Sequence, residues 1–302
     1  MYSLSRGRRG GFVLVAVLML GTVLLSTATA FAWFARMHVR SASRERISFS
    51  NRSMAQVLTR AVIIYIEEAR ENYDSPLQEW FEPFSFTVEG LGTWVVQVVP
   101  LNDKIPLRNL FLPDGTTLRS DLRNTWEDMW TQLGQRNLAP LVLDFMSRGR
   151  RARMGGEQRD THINRAPLCI SELLILEEIT PEILYGTSEE LGLADYATLW
   201  SGARINLNVA PVNVMAILPG MSRTLAERVA EYRANRAISN MDALSRIPGF
   251  PQRARAGLMN IAGFASEYFM IRIEVLEEGG GGTRFNVIFE IEDGEIVRWE
   301  EF

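Results

Sequence analysis

Apolar and polar residues divide the chain into regions of different periodicity. Residues 12–35 form an apolar run without a charged side chain. At about 1.5 Å rise per residue, a run of this length crosses a hydrocarbon core of ~30 Å as one helix. Residues 41–73 contain neither Pro nor Gly, and their apolar positions recur near helical spacing. The helix is therefore predicted to continue to residue 74, where Ser75 and Pro76 end it.

Stretches rich in β-branched and aromatic residues predict strands near both ends of the remaining chain. These strands are residues 84–88, 93–99, 268–275, 284–291 and 295–299. The first two are joined by a glycine turn and the last two by the tight Asp293-Gly294 turn, which are hairpin signals. We predict an α+β fold in which strands from both ends form one antiparallel sheet. Residues 102–262 would be a large, mostly helical insertion.

Composition argues against two functional classes. The net charge of the 302 residues is -4 and the sequence pI is near 5.5, whereas a general nucleic-acid surface is expected to be basic. Two histidines and one cysteine leave almost no material for a zinc site or a Ser-His-Asp or Cys-His catalytic group. Cys169 lies among apolar residues and is predicted to be a small core residue. We expect no enzyme activity.

A weak internal repeat lies inside the insertion. Residues 170–181, 212–223 and 241–252 each contain a short apolar helix, a turn and the start of another helix. They resemble helix-hairpin-helix units, whose turn glycines let backbone N–H groups approach DNA phosphates. The corresponding turns are Pro219-Gly220 and Pro248-Gly249.

Other residues of the repeat favour packing over DNA binding. The usual second turn glycine is replaced by Ser222 in one copy and by Pro251 in another. Arg223 stands four residues before Glu227, which is typical of a solvated ion pair on a helix surface. We therefore expect no nucleic-acid partner, since DNA binding needs a basic patch. A membrane-tethered helix-hairpin-helix DNA-binding protein of an uptake or pilus machine is the alternative.

The N-terminal residues indicate how the chain is processed. Basic residues precede Gly11, and Gly11 precedes Phe12 and the apolar run. This arrangement resembles the leader of type IV pilin-like proteins, which implies that a prepilin peptidase cuts between Gly11 and Phe12 and leaves the helix attached. A signal peptide cut after Ala30, releasing a secreted enzyme, is the competing interpretation. The apolar run is, however, longer than the usual ~7 to 15 residues of a signal core.

Cleavage at Gly11 makes Ala16 the fifth residue of the mature chain. In most pilin-like subunits that residue is Glu, which neutralises the terminal ammonium of a neighbouring subunit. An unpaired carboxylate costs about 2.5 to 3.5 kcal/mol at the membrane centre. An apolar fifth residue thus suits a subunit with no neighbour ahead of it. Arginines flank the span on both sides, so the positive-inside rule gives no orientation.

Several stretches along the whole chain look like landmarks of the K-class minor pseudopilin of type II secretion. They are residues 102–110, 173–185 and 204–215. The most specific one is a run of alternating Asn and apolar residues, Ile205, Asn206, Leu207, Asn208, Val209, Ala210 and Pro211. The two asparagines can hydrogen-bond local backbone and end a strand before the next helix.

The resemblance implies a domain order and a place in the cell. The domains are a leader (1–11), a transmembrane helix (12–35), its periplasmic continuation (36–74), the first strands of a pilin-like sheet (75–101), the helical insertion (102–262) and the last strands (263–302). The protein would be a methylated, single-pass inner-membrane subunit with a periplasmic domain. It would cap the pseudopilus and help to initiate it. Its partners would be I-class and J-class minor pseudopilins, the prepilin peptidase, the inner-membrane assembly platform and the lipid bilayer.

One departure from the family concerns a cofactor. The family commonly has an acidic stretch that binds calcium, matched here by residues 144–149. Only Asp144 of the three carboxylates is retained, and Arg148, Arg151 and Arg153 follow closely. Calcium requires several oxygen ligands. We therefore predict no cofactor, with calcium at this stretch suggested only by the resemblance.

Overall fold

A computed structural model describes residues 9–149, 151–277 and 282–302. The chain divides into two compact units, Met1–Gln56 and Val57–Phe302. The first element is one continuous helix, α1 (Arg9–Ala69). Residues 1–8 of the predicted leader and residues 278–281 of the glycine-rich linker lie outside the described residues.

Within the first unit, α1 is suited to a lipid environment. It is the only described helix that is long and apolar enough to cross a membrane, and its most apolar window has no buried residue. Hydroxyl groups in this window are bonded to the helix itself: Thr22 donates to the carbonyl of Met19 at 2.8 Å, and Ser26 donates to that of Thr22 at 2.5 Å. Internal bonding of polar groups is what hydrocarbon demands. The helix fits a single-pass membrane anchor.

Helix α1 ends at Ala69, before the predicted limit at residue 74. The last helical bond joins the N–H of Arg70 to the carbonyl of Ile66 at 2.9 Å. Beyond it, the N–H of Asp74 donates to the carbonyl of Phe264 at 2.8 Å. At Asp74 a tertiary hydrogen bond therefore takes the place of the helical bond to the carbonyl of Arg70, and the chain leaves the helix before it reaches Pro76.

Five strands form the antiparallel sheet, in the order β1-β2-β7-β8-β9. They are β1 (Phe84–Val88), β2 (Gly92–Pro100), β7 (Tyr268–Leu276), β8 (Gly282–Glu290) and β9 (Glu295–Glu301). The prediction of one sheet built from both ends of the chain is confirmed. The bounds of β1 match the prediction, and those of the other four strands differ from it by at most two residues at either end.

Alternating burial gives this sheet one packed face. Along β2 every second residue is buried, including Trp94, Val96 and Val98. The last turns of α1 within the second unit supply buried Val62 and Ile66, which line a groove together with Val98. The alternation of buried and half-buried residues along β2 is the period of two expected for a strand with one packed face.

The insertion between β2 and β7 contains short helices separated by longer irregular segments. The helices are α2 (Arg123–Gln132), α3 (Leu138–Met146), α4 (Pro181–Tyr185), α5 (Val212–Ala216), α6 (Arg223–Arg233) and α7 (Gln252–Leu258). Two parallel pairs of two-residue strands connect distant segments: β3 (Ile105–Pro106) with β4 (Ala197–Thr198), and β5 (Ile205–Asn206) with β6 (Ala262–Gly263). Regular structure in the insertion is therefore mainly helical but sparse.

The insertion has a hydrophobic core of its own, which runs from Ile105 to Ala262 along the chain. Within α2, the rings of Trp126 and Trp130 meet edge to face in this core with centroids 5.7 Å apart. The indole N–H of Trp126 donates to the carbonyl of Ala139 at 3.1 Å. Cys169 is not part of this core; it is half-buried, with its Sγ 3.1 Å from the hydroxyl of Ser171.

Candidate functional site

A cluster of buried polar side chains lies where residues after α1, the start of β7 and the insertion meet. Asn102, which follows β2, is completely buried. Its Oδ1 accepts hydrogen bonds from the N–H groups of Glu267 and Tyr268 at 3.0 and 3.1 Å. Its Nδ2 donates to the carbonyl of Arg204 at 3.2 Å. One side chain therefore ties the first residue of β7 to the insertion.

Asn206 connects the same region to the segment after α1. It is completely buried, and its Nδ2 donates to the hydroxyl of Ser266 at 3.0 Å and to the carbonyl of Asp74 at 3.5 Å. Its Oδ1 accepts from the N–H of Asn208 at 3.0 Å. Only this last bond is the local bond to the backbone that the sequence predicts.

Asn208 extends the network into the hairpin region. Its Oδ1 accepts from the N–H of Ile238 at 2.8 Å, and its Nδ2 donates to the carbonyl of the same residue at 2.8 Å. A second donation reaches the carbonyl of Phe264 at 3.3 Å. The amide thus pairs with the backbone of Ile238 as a neighbouring strand would. Buried backbone groups left without such partners would cost about 1–3 kcal/mol each.

Asp74 supplies the charged member of this junction. Its carboxylate accepts from the N–H of Ser266 and from the guanidinium of Arg70 at 3.3 Å. Arg70 also donates to the carbonyl of Ser266 at 2.5 Å. Burial raises the pKa of Asp74, while the Ser266 N–H and the Arg70 charge oppose that rise. We name Asp74, Asn102, Asn206, Asn208 and Ser266 the buried junction.

The rest of the alternating run is apolar packing followed by a helix start. Ile205, Leu207 and Ala210 are completely buried. The N–H of Ala210 donates to the carbonyl of Asn206 at 2.9 Å, which closes a turn. Pro211 then stands before the first residue of α5.

Two of the repeat copies form helical hairpins that follow one another. In the first hairpin, α5 and α6 flank the Pro219-Gly220 turn, and the hydroxyl of Ser222 accepts from the N–H of Leu225 at 3.3 Å as a helix cap. In the second, a 3₁₀ turn (Ala243–Arg246) and α7 flank Pro248-Gly249. Ser222 thus caps a helix where a second turn glycine is usual.

The two turn glycines have different surroundings. Gly220 has φ of +76°, and a Cβ added there would lie 2.7 Å from the Cα of Ala254 in α7. Gly257 makes the reciprocal approach, because its Cβ would lie 2.7 Å from the carbonyl oxygen of Pro219. Gly249, with φ of +70°, faces only the flexible end of Arg228. The first turn is therefore covered by the second hairpin.

Several arginines of the hairpins have partners within the chain. Arg223 pairs with Glu227 at 3.2 Å, and Arg255 pairs with Asp242 at 2.5 Å. Arg233 donates to the carbonyl of Leu207 at 2.6 Å, and burial lowers its pKa to about 10. These contacts reduce the basic surface that DNA phosphates would meet.

The retained carboxylate of the acidic stretch is occupied by an arginine. Asp144, at the end of α3, is completely buried. Its Oδ1 lies 2.7 Å from the Nη1 of Arg153, and its Oδ2 accepts from the backbone N–H of Arg153 at 2.9 Å. No cluster of three or more metal-binding side chains occurs among residues 9–149, 151–277 and 282–302. The residues at Asp144 do not fit calcium, because its Oδ1 is paired with the guanidinium of Arg153 and its Oδ2 accepts from a backbone N–H.

The predicted processing site lies at the start of α1. The backbone at Gly11 and Phe12 is helical, while their side chains lie outside the described part. Ala16 is within α1 and fully on the surface of the first unit. Nothing in this geometry tests cleavage.

Two comparisons with known proteins agree with parts of this description. Residues 201–264 match the family model described as helix-hairpin-helix motif. The fold is similar to a chain in the crystal structure of the GspK-GspI-GspJ complex from the enterotoxigenic Escherichia coli Type 2 Secretion System, with a TM-score of 0.64 and 13% identity. That match covers 86% of this chain and 99% of the other. No curated protein matches the sequence. The likeness shows a shared fold, and it spans the insertion as well as the sheet.

Sequence reasoning missed three features of this region. Asn102 was part of a landmark stretch, but nothing local indicates that its amide binds residues 165 positions away. Asp74 is the last residue of the predicted helix and carries no motif. The pairing of Asp144 with Arg153 could have been suspected from the excess of arginines around a lone carboxylate.

Proposed function

We propose that this protein is a non-enzymatic minor pseudopilin of the K class. The likeness in fold to a chain of the GspK-GspI-GspJ complex is the observation that carries the proposal, because it includes almost all of that chain. The apolar, unburied α1 supports a role anchored in a membrane. The landmark run Ile205–Pro211 contributes Asn206 and Asn208 to the buried junction, which is consistent with a family motif that holds the insertion to the sheet.

The proposed position is the tip of the pseudopilus, with the second unit on the periplasmic side. Two features support it. Ala16 offers no carboxylate to a subunit ahead, and the insertion would obstruct a subunit stacked above the sheet. The prepilin peptidase would cut between Gly11 and Phe12, and the inner-membrane assembly platform would receive the mature, methylated subunit. The I-class and J-class minor pseudopilins are the expected partners.

Partner binding tests the assignment directly. The full chain in detergent micelles should copurify with the I-class and J-class proteins of its own secretion system in one defined complex, and it should not polymerise alone. Ala16→Glu should weaken membrane insertion without improving this complex, because the carboxylate would lie in lipid without an ammonium partner. Filaments made of this chain alone would contradict the tip position.

Processing provides a second, independent test. Gly11→Leu should leave the full-length chain in the membrane, because Gly permits the close backbone approach that a peptidase groove needs. N-terminal sequencing of the wild-type mature protein should begin at Phe12. A mature chain beginning at Phe31 would instead support signal-peptide removal.

A membrane-tethered DNA-binding protein is the second candidate. The match of residues 201–264 to a helix-hairpin-helix model favours it, as do eight arginines against three acidic residues in that segment. The covered Gly220 turn and the intrachain partners of Arg223, Arg233 and Arg255 argue against it. Duplex DNA should bind no better than the nonspecific range of ~10⁻⁴ to 10⁻⁶ M. Submicromolar binding that weakens steeply with salt would favour this candidate.

A further inference from the structure

An arginine-lined cavity opens on the insertion, away from the residues discussed above. Its volume is about 410 Å³, within the range of pockets that hold small ligands or peptide side chains. Four of its lining residues are arginines and none is acidic: Arg108, Arg119, Arg148 and Arg165. The whole chain is acidic, with a net charge of -4. The charged residues that line this cavity are therefore all positive, whereas the chain as a whole is negative.

Two of the four arginines are already neutralised. The Nε and Nη2 of Arg119 donate to both carboxylate oxygens of Asp121 at 3.2 and 2.6 Å. Arg165 donates through Nη1 and Nη2 to both oxygens of Glu172 at 2.9 and 3.0 Å. These bidentate ion pairs fix the positions of the two guanidinium groups in the lining of the cavity.

The other two, Arg108 and Arg148, form no ion pair in the part of the chain that the structure describes. The guanidinium of Arg108 lies over the ring of Trp200, 4.4 Å from its centroid, which orients its plane and leaves its N–H edge available. The N–H of Arg148 donates to the carbonyl of Gly115 at 2.9 Å, and its side-chain stem packs on that glycine. Two oriented positive charges thus lack a counter-charge.

Two carboxylates near the cavity, those of Asp114 and Glu267, accept hydrogen bonds from backbone N–H groups and do not pair with Arg108 or Arg148. Asp114 accepts from the N–H groups of Thr116 and Thr117 at 2.8 and 2.9 Å, which closes its own turn. Glu267 accepts from the N–H of Ala203 at 3.2 Å and does not line the cavity. Neither carboxylate is paired with Arg108 or Arg148 and neither lines the cavity, so both guanidinium groups are available to a ligand that carries two carboxylates.

Apolar side chains complete the lining. Phe111, Leu112, Pro113 and Met146 contribute to it, and Leu112 is 46% exposed. A bare inorganic anion would leave this apolar surface in water, whereas a peptide with an apolar residue between carboxylates would cover it. We propose that the cavity binds an acidic segment of a partner protein, in which two carboxylates flank an apolar side chain. This proposal does not depend on the pseudopilin assignment.

A labelled peptide tests the proposal on the full chain in detergent micelles. The probe is a blocked five-residue peptide with two glutamates flanking a leucine and a glycine at each end, and fluorescence anisotropy reports its binding. The double variant Arg108→Gln and Arg148→Gln should weaken binding at least about tenfold, since hydrogen bonds to charged groups are among the strongest. The matched control, Arg246→Gln and Arg253→Gln, removes the same charge from exposed arginines of the hairpins and should change affinity less than about twofold.

Further measurements distinguish binding of a carboxylate peptide from binding of a simple inorganic anion. Arg148→Glu alone should weaken peptide binding as much as the double variant, and it alters only an exposed side chain. The peptide with glutamines in place of glutamates should not bind. Equal affinity of wild type and double variant, equal binding of the glutamine peptide, or no binding at millimolar peptide would overturn the proposal. So would displacement of the peptide by inorganic phosphate at an equal or lower concentration, because the apolar contact would then contribute nothing.

Discussion

The sheet and the insertion between β2 and β7 are stabilised by different kinds of contact. Strand β2 pairs residue by residue with β7, and every second side chain enters the same apolar layer. The insertion instead has two-residue strand pairs and short helices, and single polar side chains bridge its irregular segments. One ion pair from each region shows the contrast: Arg284 and Glu274 on the sheet are both exposed, whereas Asp144, paired with Arg153 in the insertion, is completely buried.

This difference predicts how the two regions respond to substitution. Stability of the sheet is spread over many equivalent contacts, so loss of one polar contact is tolerated. In the insertion a single side chain satisfies several buried groups, and each group becomes costly when its partner is removed. Matched substitutions in the two regions should therefore differ in their effect on the free energy of unfolding.

The largest difference is expected for the ion pairs. Arg153→Met should destabilise the second unit by about 3 kcal/mol, because it leaves the buried Asp144 carboxylate without a partner. Arg284→Met should cost less than about 0.5 kcal/mol, since exposed pairs contribute little. Urea unfolding of the full chain in detergent, followed by tryptophan fluorescence, measures both. Equal effects would show that Arg153 does not compensate Asp144. Added calcium should not restore the Arg153→Met variant.

A similar contrast applies to buried amides. Asn208→Leu should cost about 3 kcal/mol, because the N–H and carbonyl of Ile238 lose their partner while the number and branching of side-chain heavy atoms are conserved. The control is Asn286 on β8, whose amide oxygen is buried without a partner in the described part of the chain. Asn286→Val should change stability by less than about 1 kcal/mol. Hydrogen exchange should rise around Ile238 in the Asn208 variant; an unchanged exchange rate there would contradict the role given to this amide.

The same contrast explains how far the sequence could predict the molecule. The strands were predicted to within two residues at either end, since β-branched and aromatic composition and turn chemistry are properties of neighbouring positions. The hairpins were also recognisable from their local repeat. The partners of Asn102 and Asn208 are set by the folded chain, and no periodicity encodes them. Asn206 shows both cases, because its bond to Asn208 is local and its bond to Ser266 is not.

Glycine turns allow a finer comparison, because Gly90 in the sheet and Gly220 in the insertion have the same φ of +76°. A Cβ at Gly90 meets nothing within 4 Å, so Gly90→Ala should cost only the backbone strain of about 1 kcal/mol. Gly220→Ala should cost about 1–2 kcal/mol more, because its Cβ would clash with the Cα of Ala254. Equal costs would mean that the Gly220 turn is open, as a DNA-binding hairpin requires.

The smallest effect concerns pH and lies where the two regions meet. Burial raises the pKa of Asp103, just after β2, to about 6, although the charge of Lys104 opposes the rise. The folded state therefore holds this proton more tightly than the unfolded chain does, where the pKa is near 4. The associated stability is complete below pH 4 and is lost as the pH rises through 6.

Asp103→Asn removes this dependence. The variant should match wild type near pH 4 and should be more stable by on the order of 1–2 kcal/mol at pH 7.5, where the wild-type carboxylate is charged. Urea unfolding at half-unit pH steps measures the difference between the two proteins, which cancels the titration of all other groups. A difference that is constant across pH would show that folding does not change the pKa of Asp103, whereas one that favours wild type at pH 7.5 would show that Asp103 is stabilised as a carboxylate. In that case the boundary between sheet and insertion would be held by charge, as the interior of the insertion is at Asp144.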